Sequence, residues 1–323
     1  MTGAFTYQHL RLCRMSEMME HSSQTMRFGT LGNEGFGRYM REPSAAPSTP
    51  AVADLHLVYH SWLPRMMAMS DEQAAAIRCL IRDEPADAST QAIAATLHAM
   101  GWCQDEPVDL DHLLNRVASE IMAIQNRYEL RAFLEIVRRA RPKTVIEIGT
   151  ARGGTLYALS QLADPSAVIL SIDLPGAPNG GGQSALEREL FKSFGPIGQR
   201  LTCLPLDSHE PATFEAARAA LDGRAVDLLF IDGDHSYEGV RADFERYRTL
   251  VAPDGLIALH DINVFPEQFG AANAVGPFWR ELTAQYATEA IEDPDGVCAP
   301  TRPPGKRAAW GIGLVRDAGS AGG

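Results

Sequence analysis

Residues 144–154 read TVIEIGTARGG, and no other stretch restricts the possible folds of this chain so far. Val145, Ile146 and Ile148 make a short β-branched run of the kind that fills a strand buried on both faces of a parallel sheet. The run stops at Gly149. Gly153 and Gly154 then precede a helical pattern, Leu156, Leu159 and Leu162. A strand, a glycine turn and a helix in that order place free N–H groups at a helix start, where glycine allows close approach of a ligand. Glu147 lies in the strand itself. A buried carboxylate needs a partner, and a ligand with donor groups beyond the strand ends would supply one.

The same alternation continues along the chain. Strands are expected at 168–172, 201–206, 226–231 and 256–259, separated by helices near 184–194, 211–221 and 240–251. Pro253-Asp254-Gly255 reads as a turn into the fifth strand. Regular βα repetition gives an α/β fold, a doubly wound Rossmann-like sheet with right-handed crossovers. A helix near 278–286 and strands near 288–292 and 309–315 suit a final antiparallel pair. The glycine- and proline-rich segment 175–183 reads as a connection or a mobile lid.

Ahead of the sheet, residues 1–54 form a polar segment closed by the linker PSAAPSTP (43–50). Residues 55–125 carry helical patterns, the strongest being Leu110, Leu113, Leu114, Val117, Ile121 and Ile124. They form an N-terminal helical extension that packs on the sheet or on a second subunit, a homo-oligomer contact. The nucleotide-type domain spans 126–317, and 318–323 is a tail. His56, His60, His98 and His112 show no paired ligand spacing.

Net charge is −12 with no basic block, which disfavours nucleic acid. The five cysteines are scattered and form no CxxC pair, as expected of reduced thiols in a cytoplasmic protein. No apolar run reaches membrane-spanning length, so no membrane partner is expected.

The polar residues concentrate. Glu147, Asp173, Asp207, Asp232, His235, His260 and Asp261 all lie at or just past expected carboxyl ends of strands, which line one crevice in an open α/β sheet. One acid there is often a helix cap. Seven ionisable groups at five ends point to a binding or catalytic site.

A dinucleotide fingerprint would read G-x-G-x-x-G, but Ala151 occupies the second glycine position. The form E-x-G-x-x-x-G instead resembles motif I of class I S-adenosylmethionine-dependent methyltransferases. The run VDLLFIDGDHSYEGVRADFERYRTLVAPDGLIALHDI (226–262) resembles the subfamily of cephalosporin-hydroxylase-like proteins and macrolide-sugar O-methyltransferases. Asp207-Ser208-His209, Gly276-Pro277-Phe278-Trp279 and Gly311-Ile312-Gly313 are similar to its recurring segments, over roughly 125–315. The resemblance implies S-adenosylmethionine held by Glu147, Gly149, Thr150, Gly153, Gly154 and Asp232. It also implies Asp173 on the ribose hydroxyls and Asp207-Ser208 near adenine.

A hydroxyl acceptor must lose its proton to become a nucleophile. A divalent cation on carboxylates can polarise it, and an imidazole can take the proton. Asp232 and Asp261 end neighbouring strands and suit Mg²⁺, with His235 as general base. His260 stands where relatives carry an acid, and is either a third ligand or none. The expected function is O-methylation of a small-molecule acceptor, a sugar or other natural product. An NAD-dependent oxidoreductase and a non-catalytic cofactor-binding protein are the alternatives.

Overall fold

The computed structural model describes residues 108–316 except 122, 124, 176–187, 189–190, 193, 197 and 300–301. The expected N-terminal segment and linker, the helical patterns before 108 and the tail therefore lie outside the described residues. So do the segment 176–183, most of the helix at 184–194, and any subunit contact made by the early helices.

Described elements begin with α1 (Leu110–Arg116), a π-helical turn (Val117–Ile121) and α2 (Arg127–Ala140). The continuous helix expected over 110–124 is thus broken. Asp109 caps the start of α1 by accepting the N–H groups of Asp111 and His112 (2.8 and 3.1 Å). Asn126 caps α2 through Tyr128 and Glu129 N–H. One face of α2, comprising Leu130, Phe133, Leu134 and Val137, is buried. Burying each such side chain is worth about 1.5–3 kcal/mol, so α2 is fixed to the sheet by packing.

The βα repeats follow: β1 (Thr144–Ile148), α3 (Gly154–Leu162), β2 (Val168–Ile172), β3 (Arg200–Leu204), α4 (Pro211–Leu221), β4 (Val226–Ile231), α5 (Tyr237–Tyr247) and β5 (Val251–His260). Then come α6 (Pro266–Phe269), α7 (Val275–Gln285), β6 (Ala287–Ile291), the short parallel pair β7 (Gly296–Val297) and β8 (Arg307–Ala308), and β9 (Ile312–Arg316). Seven strands form one sheet in the order β3-β2-β1-β4-β5-β9-β6. The first five are parallel, and β9 runs antiparallel between β5 and β6. The doubly wound sheet and the final antiparallel pair are as the sequence predicts. The turn expected at 253–255 instead belongs to an early part of β5, where the pairing with β4 shifts register between Val226 and Leu228.

Side-chain alternation along β1 divides the core. Val145 joins the layer built from α1, α2 and α3, while Ile146 and Ile148 join the layer under α4, α5 and α7. Both faces are covered, which is why β1 and β2 are buried at every position. Strand order reverses between β1 and β4, and the crevice outside their carboxyl ends is where an open α/β sheet binds ligands. No helix among the described residues is long and apolar enough to cross a membrane. Among the described residues, Cys203 and Cys298 form no disulfide.

Candidate active site

The turn after β1 is dictated by one close approach. Gly149 has φ +84, and a Cβ there would lie 2.0 Å from the Asp232 carbonyl oxygen. Glycine thus lets the end of β1 cross the end of β4, while Asp232 N–H donates to Ile148 O and Gly149 N–H to Ile172 O. The other two glycines also serve packing. A Cβ on Gly153 would meet the Phe191 ring at 2.6 Å, and one on Gly154 would meet the Ala123 Cβ at 2.2 Å. Their expected role was ligand approach; in the structure both are filled from within the chain. Thr150 pairs its hydroxyl with that of Ser171 at 2.6 Å, fastening the turn to β2.

Three acids converge at the switch point. Glu147 is fully buried, and neither carboxylate oxygen has a hydrogen-bond partner. Burial pushes its carboxyl well above the usual range, and Asp232 and Asp173 add to the shift. The Thr150 hydroxyl, which also pairs with Ser171, offsets only part of this rise. Asp173 accepts the Ala151 N–H at 2.8 Å; burial outweighs this bond and raises its carboxyl to about 6.

That shift gives a stability prediction. Ionised Asp173 costs the ligand-free fold, so its contribution is full below about pH 3.8 and is lost as pH rises through about 6. The loss is on the order of 2–3 kcal/mol. Asp173→Asn should therefore be the more stable protein at pH 7.5, with the advantage disappearing by pH 3.5. Melting curves of both proteins across that range check it; an advantage independent of pH would remove the burial argument.

The second half of the site is a hydrogen-bonded group of two carboxylates and two imidazoles. His235 bridges the carboxylates, with Nε2 3.5 Å from Asp232 Oδ1 and Nδ1 3.2 Å from Asp261 Oδ2. His260, nearly fully buried, places Nδ1 3.2 Å from Asp232 Oδ1 and 3.1 Å from Asp261 Oδ1. Its Nε2 is buried without a partner. Burial disfavours charge on both rings, yet the two aspartates prevail. His235 is raised to about 9 and His260 is raised as well, while the two imidazoles hold Asp232 below the usual carboxylate range. Asp232, His235 and Asp261 each offer a ligand atom, all within 4.8 Å of one another. The expected set of Asp232, His260 and Asp261 thus shares its two acids with this trio. His260 lies behind them with its Nδ1 already committed.

Local folding explains the rest of the D-G-D-H-S run. Asp234 accepts the Ser236 N–H, Ser236 caps α5 through the Gly239 N–H, and a Cβ at Gly239 would strike the Asp234 carboxylate at 2.3 Å. Asp261 itself has φ +63. A non-glycine residue in this region is strained by roughly 1–2 kcal/mol, and such residues gather at functional sites. Asp207 and Ser208 are held differently. The Asp207 carboxylate accepts the His209 N–H, while the Ser208 carbonyl takes donors from Arg246 and Tyr247 on α5. His209 lies 3.6 Å from the buried Asp243 carboxylate. These contacts fix the loop after β3 to α5. They do not join it to the acids of β1 and β4.

Three features carry no signal in the sequence pattern. Gln125, in the segment before α2, donates to Asp232 Oδ2 at 3.2 Å. Glu129 accepts the N–H groups of Asp293, Trp310 and Gly311 at 3.0, 3.3 and 3.0 Å, tying α2 to the chain that enters β9. Leu174 and Leu206, just past the ends of β2 and β3, are exposed large apolar residues.

The sequence of residues 146–262 matches the profile of a methyltransferase-domain family. The matched span runs from β1 to just beyond β5 and contains every residue of the acid and imidazole groups above. The uncharacterized protein y4gI of Sinorhizobium fredii is 26% identical over 160 residues, which are 46% of this chain and 16% of that protein. The uncharacterized protein R132 of Acanthamoeba polyphaga mimivirus is 30% identical over 135 residues, 41% of this chain and 58% of the relative. The match therefore spans less than two thirds of either curated relative.

Solved structures similar to this chain include an O-methyltransferase from Bacillus cereus in complex with SAH, with TM-score 0.41 and 14% identity, covering 69% of this chain and 96% of that one. Another is the O-methyltransferase TomG of Streptomyces achromogenes in complex with SAM, with TM-score 0.42 and 12% identity over 70% and 96% of the two chains. A third is the SAH-bound methyltransferase PaMTH1 of Podospora anserina, with TM-score 0.41 and 19% identity over 72% and 97%. The stretch that matches the methyltransferase-domain profile, residues 146–262, is thus the part of this chain that carries the parallel strands β1 to β5 of the doubly wound sheet and the acids and imidazoles at their ends.

Proposed function

We propose that the chain transfers the methyl group of S-adenosylmethionine to a hydroxyl of a small-molecule acceptor, with a divalent cation such as Mg²⁺ assisting. The observation that carries the cofactor is Glu147, a buried carboxylate with two unpartnered oxygens, close enough to Asp173 and Asp232 to feel both charges. Three acids at one switch point suit a cofactor bearing an ammonium and a sulfonium group. When bound, S-adenosylmethionine supplies an electrophilic methyl carbon.

The chain's own residues provide the rest. Asp173, held by the Ala151 N–H at the end of β2, is the acid placed to accept from the ribose hydroxyls. Asp232 and Asp261 offer oxygens to a hard cation, which fits Mg²⁺. His235, between them, takes the proton of the acceptor hydroxyl at one ring nitrogen. His260 donates through Nδ1 to the same carboxylates and keeps both oriented.

Titration calorimetry with S-adenosylmethionine and with NAD, repeated on Glu147→Gln, tests this reading. The wild type should bind the first and not the second. The variant should lose roughly 10- to 100-fold in affinity for S-adenosylmethionine, with no loss of thermal stability at neutral pH, since an ionised Glu147 costs the empty fold. NAD binding alone would sink the proposal. A variant that melts early but binds normally would make Glu147 structural.

A further inference from the structure

We infer that Gln125 reads the amino-acid end of the cofactor, its side-chain oxygen accepting a hydrogen bond from the cofactor's α-ammonium group. This rests on the S-adenosylmethionine reading above and assigns one more residue to it.

The inference starts from an unequal amide. Gln125 Nε2 donates to Asp232 Oδ2 at 3.2 Å, whereas its Oε1 is buried with no hydrogen-bond partner. The carboxylate only accepts, so the nitrogen must face it and the oxygen must face away. An unpaired buried acceptor is costly, and a native structure keeps one where a ligand completes it.

The surroundings identify the donor. Ala123, two positions before Gln125, lies over the start of α3, where a Cβ on Gly154 would strike it. The π-helical turn at Val117–Ile121 precedes them, and such turns are frequent at functional sites. From the other side, Asn126 caps α2 and donates to Asp293 Oδ2 (3.0 Å), so the segment is held at both ends. Gln125 thus sits between the turn that follows β1 and the end of β4. It meets Asp232 on Oδ2, whereas His235 and His260 meet it on Oδ1. The amide is on the side of the carboxylate away from the imidazoles, which separates it from the acceptor hydroxyl. An ammonium group placed there would find Oε1 on the same amide that holds the Asp232 carboxylate.

The test compares S-adenosylhomocysteine with its deamino analogue, which keeps the nucleoside, sulfur and carboxylate and lacks only the amine. Calorimetry is run on wild type, Gln125→Met, which retains side-chain length, and Gln125→Asn, which shortens the reach. Both variants should bind S-adenosylhomocysteine roughly 10- to 100-fold more weakly, while their affinity for the deamino analogue matches wild type. If both ligands weaken equally, Gln125 acts by packing or through Asp232, and the inference fails. It fails equally if S-adenosylhomocysteine binding is unchanged. A wild type that binds neither ligand would instead remove the methyltransferase reading itself.

Discussion

His235→Ala should lower turnover by roughly 10²- to 10⁴-fold, the range for a lost general base, and leave the affinity for S-adenosylhomocysteine within a few-fold of wild type. The imidazole's ion-pair contacts run to Asp232 and Asp261 at the ends of β4 and β5, so Glu147 and Asp173 should keep their hold on the cofactor. The pH profile carries the sign. Two carboxylates raise the ring to about 9 against the cost of burial, so in the cation-free protein it is protonated at pH 7 and cannot accept a proton. The rate should climb with pH toward 9. A cation on the carboxylates cancels part of their negative potential, so saturating Mg²⁺ should move the profile to lower pH. EDTA should then suppress turnover while S-adenosylhomocysteine stays bound. Full activity in EDTA would remove the cation and keep the base, and full activity of His235→Ala would remove the base.

Gly149→Ala should destabilise the fold by about 3 kcal/mol or more. An alanine there carries the roughly 1–2 kcal/mol of a left-handed conformation and also drives its methyl group into the Asp232 carbonyl, 2.0 Å away. Neither strand end can withdraw, because Gly149 N–H and Asp232 N–H are both bonded to neighbouring strands. In a domain of this size the expected fall in melting temperature is on the order of 10 °C. Gly223→Ala is the matched control. It has φ +76 with nothing within 4 Å of the added methyl group, so only the backbone cost applies. Equal losses in the two variants would mean that β1 and β4 do not cross as described. A loss confined to Gly149 would also disturb Asp232, and cofactor affinity should fall with it.

What the sequence determined by itself is the frame and the acids. A short apolar run closed by a glycine or a polar residue is a local signal, and five such runs with helices between them specify a parallel sheet before any contact is known. Because a parallel sheet brings all its carboxyl ends to one side, Glu147, Asp173, Asp232, His235, His260 and Asp261 could be gathered from order alone. Tertiary structure decided how each residue is used. Gly153 and Gly154 look like ligand-facing glycines in a motif, yet Phe191 and Ala123 occupy the space, which no spacing rule can show. That His235 is the more accessible imidazole and His260 the buried one came from packing, since the sequence places both simply near strand ends.

The contacts made by Gln125 and Glu129 lay beyond the sequence for a simpler reason. Gln125 finds Asp232 across 107 positions, and Glu129 finds Gly311 across 182. Periodicity reports only which face of a helix is apolar. Which distant carboxylate or N–H group a polar side chain meets depends on how α2 is laid against the sheet, and that is settled by the packing of Phe133, Leu134 and Val137 in the core.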